Sequence, residues 1–181
     1  MLIGKVVAVA RDCVHRFSKE LVPEIRMLEG MGVEGDAHFG ATVRHRSRMA
    51  VDPNQPNLRQ VHLIHSELFS EVNKKGLVVR PADMGENITT VGVDLLALPE
   101  GTVLKIGQTV QLEVTSLRNP CKQIDNFQTG LLSAVLVKGE NGQLFRKSGI
   151  MTIDKVGGLV KAGDTIQPIF PENPYLPLEC V

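Results

Sequence analysis

The chain has 181 residues, 43% of them hydrophobic and 22% charged, with 20 basic against 20 acidic residues and a formal net charge of zero. That length suits one domain and buries roughly 70% of the unfolded surface, enough for a core that needs no disulfide or structural metal. Neutrality excludes a global field that would draw the protein to nucleic acid or an anionic membrane, and leaves only local patches.

Cys13, Cys121 and Cys180 are odd in number and far apart, so no disulfide framework is implied and a reducing compartment is the simpler setting. The apolar run from Leu2 to Ala10 is too short for a secretory signal with its flanks. No stretch nears the ~20 apolar residues of a membrane span. Cys180 is penultimate and does not fit a prenylation signal. A cytoplasmic protein is expected.

In chain order, Val6, Val7 and Val9 open a β-branched strand. The segment from Arg44 to Asn57 holds three arginines, a histidine and two prolines without periodicity, and is expected to be a loop. In Val61-His62-Leu63-Ile64-His65 an extended backbone puts His62 and Ile64 on one face and Val61, Leu63 and His65 on the other. The two histidines then cannot share a metal. Val61 and Leu63 read as core, the histidines as polar contacts.

A helix follows, capped by Ser66, striped with Leu68, Phe69 and Val72, and ended by Gly76. Residues 88–91 read as a strand. Residues 102–106 and 110–115 alternate apolar with polar around Gly107-Gln108, which predicts a hairpin with one buried face. A second short helix is expected after Cys121. Late strands fit residues 150–153 and 165–169, with Gly157-Gly158 and Gly163-Asp164 as turns. Short strands punctuated by glycine predict a mainly β barrel or sandwich. The domain is expected to span residues 1–170, and the proline-rich residues 171–181 to form an extended tail.

Cys121 heads the residues that can carry chemistry. It directly follows Pro120 after a long strand, and thiolate is both a soft metal ligand and the reactive form in sulfur transfer. Arg118 stands three residues earlier, able to favour the thiolate or bind an anion. A buried structural cysteine is the competing reading. In Gly32–Gly40, the alternating Glu34, Asp36 and His38 share a face in extended chain and resemble a metal site. An Asp-capped turn explains them equally. Arg59 joins Arg44, His45, Arg46 and Arg48 either as an anion site or as a solvated basic loop. In Met84-Gly85-Glu86-Asn87, the Asn87 amide can donate to and accept from a planar heterocycle, or simply close a turn.

The order of these signals is more specific than any one of them. Gly-Val-Glu-Gly-Asp-Ala-His-x-Gly, Arg-Gln-Val-His-Leu-Ile, Gly-Glu-Asn-Ile-Thr-Thr-x-Gly-Val-Asp-Leu, Leu-Glu-Val-Thr, Arg-x-Pro-Cys and Gly-Gly-Leu-Val-Lys-Ala-Gly-Asp-Thr-Ile follow one another over roughly residues 3 to 170. This series resembles the MOSC family, named for the C-terminal domain of molybdenum-cofactor sulfurase.

The resemblance implies a mostly β fold of the pyruvate-kinase β-barrel-like kind, with one or two short helices and a pocket centred on Cys121. In relatives that bind the molybdenum cofactor (molybdopterin), the equivalent cysteine ligates molybdenum, and others carry sulfur on it. By position, Arg118, Asn87, Asp36, His38 and Arg59 become cofactor-binding candidates. Larger sulfurases place a pyridoxal-phosphate domain upstream, for which this sequence offers no support. The additional domains of mitochondrial and some bacterial relatives are also missing, so electrons would have to come from a partner protein.

The expected function is therefore molybdenum-dependent reduction of small N-hydroxylated bases or amines, with no nucleic-acid or membrane partner. One alternative is a sulfur carrier, with Cys121 as a persulfide, in maturation of molybdenum or other metal–sulfur cofactors and served by a sulfur-donor protein. The other is a non-catalytic module for an anionic ligand.

Overall fold

The computed structural model describes residues 3–44 and 46–180. Its strands are β1 (Gly4–Arg11), β2 (Glu20–Val22), β3 (Glu24–Leu28), β4 (Gly32–Val33), β5 (Val61–His65), β6 (Ile88–Val91) and β7 (Val103–Ile106). They continue with β8 (Val110–Leu117), β9 (Leu136–Lys138), β10 (Leu144–Arg146), β11 (Ile150–Val156), β12 (Gly158–Lys161) and β13 (Thr165–Ile169). Short helices are α1 (Arg46–Met49), α2 (Glu67–Asn73), α3 (Gln123–Phe127) and α4 (Leu131–Val135).

Strands β13-β7-β8-β11-β5-β6-β1 pair in that order, and pairing of β1 with β13 closes them into a seven-stranded barrel, with β2 hanging on β1. The fold is mainly β, as the sequence predicts. Closure removes the unpaired edges that would otherwise invite association. Within the barrel β5 and β6 are parallel, so the chain must cross over between them, and α2 lies on that crossover. The side sheet β12-β3-β4 and the hairpin β9–β10 complete the strand pairings.

Two apolar clusters follow from the alternation of strand side chains. Val61 and Leu63 of β5 join Val6, Ile88, Leu104, Leu112, Val114 and Ile166 in the main core. Ile64 points the other way, into a second cluster with Leu68 and Val72 of α2, Ile124 of α3 and Leu131 of α4. Strand β5 is thus covered on both faces, which is why its sequence reads as nearly continuous hydrophobic residues.

Several expectations shift in detail. The predicted hairpin forms with Ile106 opposite Val110, but β8 runs on to Leu117. Residues 44–57 are not purely loop, since Arg46–Met49 makes one helical turn. Ser66 occupies the N-cap of α2 without a side-chain capping bond. Gly157-Gly158 is more than a turn: the chain leaves the barrel there and Gly158 starts β12. A Cβ at Gly157 would stand 2.6 Å from the Met27 carbonyl oxygen, so backbone contact excludes side chains at that crossing. Helix α4 and strands β2, β3, β4, β9 and β10 had no sequence signal. The tail is tied down by Glu100 N–H donating to Leu176 O and Leu117 N–H to Glu179 O. Among the described residues no helix is long and apolar enough to cross a membrane.

Asp154 of β11 is 2% exposed, and its carboxylate has no well-aligned hydrogen bond, only a weak one from the Val156 backbone N–H that opposes burial. Burial pushes its pKa from 3.8 up to about 6, and the charge of Glu29 adds to the rise. The folded protein therefore holds this proton more tightly than the unfolded chain. The contribution to stability is complete below about pH 3.8 and is lost as pH rises through about 6. Asp154→Asn is expected to raise the melting temperature at pH 7–8 by a few degrees, at about 2–4 °C per kcal/mol. It should also flatten the pH dependence between those two values. Thermal unfolding across pH 4–8 checks this; an unchanged slope in the variant contradicts it.

Candidate functional site

The segments leaving β1 and β8, those entering β5 and β6, and His62 of β5 come together to enclose a cleft of about 470 Å³. Beneath it sits Asp36. Its Oδ2 accepts from Lys19 Nζ at 2.5 Å, Asn87 Nδ2 at 3.0 Å and the Asp12 backbone N–H at 3.3 Å. Its Oδ1 accepts from His38 N–H at 2.9 Å and His38 Nδ1 at 3.2 Å. Burial alone would raise the Asp36 pKa, but the His38 hydrogen bonds and the Lys19 charge hold it well below the usual carboxylate range. Burial likewise lowers the Lys19 pKa, against the opposing pull of Asp36, Glu86 and Asp12.

The two readings of the Glu34–His38 segment separate here. Asp36 caps the turn to His38, and Glu34 faces Arg26 at 3.8 Å on the surface. Among the described residues no three His, Cys, Asp or Glu side chains are placed to hold a metal. His38 lines the cleft, whereas Asp36 lies behind it.

Asn87 lines the cleft too, but its amide is committed to the protein. Oδ1 accepts from His62 N–H at 3.2 Å, and Nδ2 donates to Ala10 O at 3.2 Å as well as to Asp36. Its geometry is that of a strut between β1, β5 and β6 rather than a free reader of a heterocycle. Glu86, beside it, is fully buried: Oε1 accepts from Ala82 N–H and Thr89 Oγ1, while Oε2 has no partner. Burial pushes the Glu86 pKa up.

Cys121 is exposed on the cleft wall, its Sγ 3.8 Å from Gln123 Oε1. Neither Cys13 nor Cys180 lines the cleft. Arg118 is held by backbone bonds, its N–H donating to Gly149 O and its carbonyl accepting from Ser148 Oγ. Its Nη1 is enclosed without any partner, an unmet donor of a permanent cation. Burial and the charges of Arg48 and Arg118 lower the Arg59 pKa to about 10, which leaves it cationic at neutral pH.

Arg16, Arg44, Arg48, Arg59 and Arg118 line the cleft with Lys19, and among the described residues no acidic one does. In a chain of zero net charge this is a local concentration of positive potential. His45 and the side chain of Arg46, both counted in the basic segment, lie outside the described residues.

Sequence reasoning passed over His62 as a cleft residue, along with His15, Arg16, Phe17 and Lys19. His62 Nε2–H donates to Ser148 O at 2.8 Å, and burial, with the Arg118 charge, keeps the ring neutral. The cationic and aromatic run His15-Arg16-Phe17-Ser18-Lys19 just after β1 was a usable signal.

Removing one member of the buried Lys19–Asp36 pair strands the other charge. Asp36→Ala is expected to cost about 3–5 kcal/mol in urea unfolding at pH 7. The double variant Lys19→Met, Asp36→Leu should lose markedly less than the sum of its single changes. An additive cycle would mean that the two groups do not support each other.

The family model described as "MOSC domain" matches residues 34–167. No curated protein matches the chain significantly. Among solved structures, the YuaD protein from Bacillus subtilis is similar at 24% identity and a TM-score of 0.74, covering 94% of this chain and 97% of its own. YiiM from Geobacillus stearothermophilus is similar at 16% identity and a TM-score of 0.68, over 96% of this chain and 79% of its own. YiiM from Escherichia coli is similar at 18% and 0.63, over 95% and 73%. These likenesses establish the shared barrel. Since the matched stretch is most of the chain and includes strands β5 to β12, Asp36 and Cys121, the chain belongs to the MOSC domain family, which is associated with molybdenum-cofactor-related binding.

Proposed function

We propose that the cleft binds the molybdenum–pterin cofactor with Cys121 as the protein ligand to molybdenum, and that the protein reduces N-hydroxylated bases or amines. The observation that carries this reading is an exposed thiol on the wall of a cleft whose charged lining is entirely cationic. The cleft volume falls in the range of about 300–1,000 Å³ typical of cofactor sites. Thiolate is the soft donor that such a metal prefers. The unmet Arg118 Nη1 and the neighbouring Arg59 and Arg48 suit a phosphate, which guanidinium groups bind in a bidentate way.

When bound, the cofactor supplies a metal centre able to remove oxygen from an N–O bond with two electrons. The chain's own residues bind and orient. The Lys19–Asp36–Asn87 network fixes the floor, and neutral His62, donating to Ser148, adds no further positive charge there. Electrons would come from a donor protein. The exposure of Cys121 also favours a second reading, a sulfur carrier whose persulfide is handed to or from a partner, because an accessible sulfur suits exchange between proteins.

Protein purified from a cofactor-competent host is expected to contain molybdenum, and Cys121→Ser to lose both metal and N-hydroxylated-substrate reduction with little change in melting temperature. Cys121 carrying one extra sulfur by mass, without molybdenum, would establish the carrier instead. Neither metal nor sulfur would leave a non-catalytic anion-binding module. Among alanine variants of Arg44, Arg48, Arg59 and Arg118, at least one should weaken cofactor binding by roughly one to two orders of magnitude. Unchanged binding in all four would make the cluster a solvated surface.

A further inference from the structure

The proline-rich tail returns to the strand that leads to the cleft cysteine. Leu178 packs against the main core, the Leu117 N–H donates to Glu179 O at 2.8 Å, and Cys180 pairs alongside Leu117 as an isolated parallel bridge. Leu117 ends β8, and from it the chain runs on through Arg118, Asn119 and Pro120 to Cys121. A second thiol is therefore fastened beside the segment that carries the first.

Arg59 is common to both. Its guanidinium lines the cleft with Cys121, and it lies within electrostatic reach of the Cys121 and Cys180 sulfurs alike. A disulfide needs Cα atoms roughly 4.4–6.8 Å apart. Consecutive Cα atoms are about 3.8 Å apart, so rotation at Glu179 alone moves Cys180 by several ångströms. Cys13 is exposed, but it neither lines the cleft nor pairs with β8.

The two thiols are unlike. Cys121 is exposed on the cleft wall, open to small reagents, and its Sγ has a long contact of 3.8 Å to Gln123 Oε1. Cys180 is half-buried and lies outside the cleft. Burial pushes its thiol pKa up, against the pull of Arg146 and Arg59, so the docked tail keeps Cys180 protonated and slow to react by itself. An exposed thiol oxidised first and a sheltered one that follows is how an attacking and a resolving cysteine divide their work.

We propose that Cys180 is the resolving thiol of Cys121, and that a hydroperoxide converts the pair to a reversible Cys121–Cys180 disulfide. The Cys121 thiolate attacks the peroxide. The O–O bond breaks, sulfur keeps one oxygen as a sulfenic acid, and the other leaves as water or an alcohol. Cys180 then attacks the Cys121 sulfur: the S–O bond breaks, the S–S bond forms, and the oxygen departs with the thiol proton as water. Two thiols give up two electrons in all, and one peroxide is reduced. The bond removes the free thiol on which both the metal reading and the sulfur-carrier reading depend, and a thiol reductant restores it. Reversible links of this kind are the usual form of a disulfide in a reducing compartment.

The test takes the full chain from a host without the molybdenum cofactor, reduces it, and adds a small excess of hydrogen peroxide. The intact mass is expected to fall by two hydrogens, Cys121 and Cys180 to lose their reaction with a maleimide, and peptide mapping to find them joined. Dithiothreitol should restore both thiols. Cys180→Ser should leave a sulfenic acid on Cys121, captured by dimedone, that goes on to the sulfinic acid. Cys13→Ser should form the bond as the parent does. Serine keeps nearly the shape of cysteine, so both variants should melt near the parent temperature.

No oxidation of Cys121, a bond through Cys13, a disulfide between two chains, or equal dimedone capture in the parent and Cys180→Ser would overturn the proposal. Because the measurement is made without the cofactor, it stands whether or not the metal reading holds. From a cofactor-competent host, Cys180→Ser should keep its molybdenum. Loss of the metal from that variant would place Cys180 in the metal site and overturn its role as a separate resolving thiol.

Discussion

Asp36 keeps its charge inside the protein, where an isolated carboxylate would cost several kcal/mol. It does so because five hydrogen bonds converge on its two oxygens, from Lys19, Asn87, His38 twice and the Asp12 backbone. Those donors belong to the loop after β1, to the residue entering β6 and to the following turn. One anion thus ties together three segments far apart in the chain, and the floor of the cleft is the result. Asn87 extends the network by bonding Ala10 of β1 and His62 of β5. A second buried carboxylate, Glu86, supports the same region from behind: its Oε1 holds the N–H of Ala82, the non-glycine residue whose φ of 74° is otherwise unfavourable. The Ala82 carbonyl in turn accepts from the Lys19 backbone N–H.

The cleft also depends on how the barrel is closed. Strand β8 pairs with β7 on one side and β11 on the other, and its alternation is buried without a break from Val110 to Leu117. That long strand carries Arg118 and Cys121 beyond the barrel rim, where Pro120 and α3 turn the chain. The segment after β1, a strand that runs antiparallel to β8, brings His15 to Lys19 to the same cleft. The parallel pair β5–β6 puts His62 and Asn87 side by side, a neighbourhood that an antiparallel hairpin would not create from residues 25 apart in sequence. The crossover that this pairing demands supplies α2 and the second apolar cluster, against which α3 and its exposed face are mounted.

The charge distribution gives the cleft its chemistry. Zero net charge over the chain coexists with five arginines on one concave surface, because the acidic residues that balance them lie elsewhere or, like Asp12 and Asp36, behind the wall. Low-dielectric surroundings raise the value of each such charge toward an anion. Desolvation in turn lowers the pKa of Arg118 and that of Arg59, the latter to about 10, which leaves Arg59 cationic at neutral pH.

Local pattern was enough for the elements whose signal is periodic. The β7–β8 hairpin, the alternation of β5, the apolar stripe of α2 and the late strands were legible because a strand's two faces and a helix's one face are written at fixed spacing. The ordered motifs were enough to identify the family and to single out Cys121 as a cleft candidate. Short pieces such as β4, β9 and α4 were not legible, because segments of two to five residues owe their form to what they pack against. Nor could the sequence say that Asp36 stands behind the wall, that the Asn87 amide is already committed, or that His62 and Phe17 face the cleft. Each of those facts is a contact between residues tens of positions apart. It exists only once the barrel closes and brings the segments flanking β1, β5, β6 and β8 around one cleft.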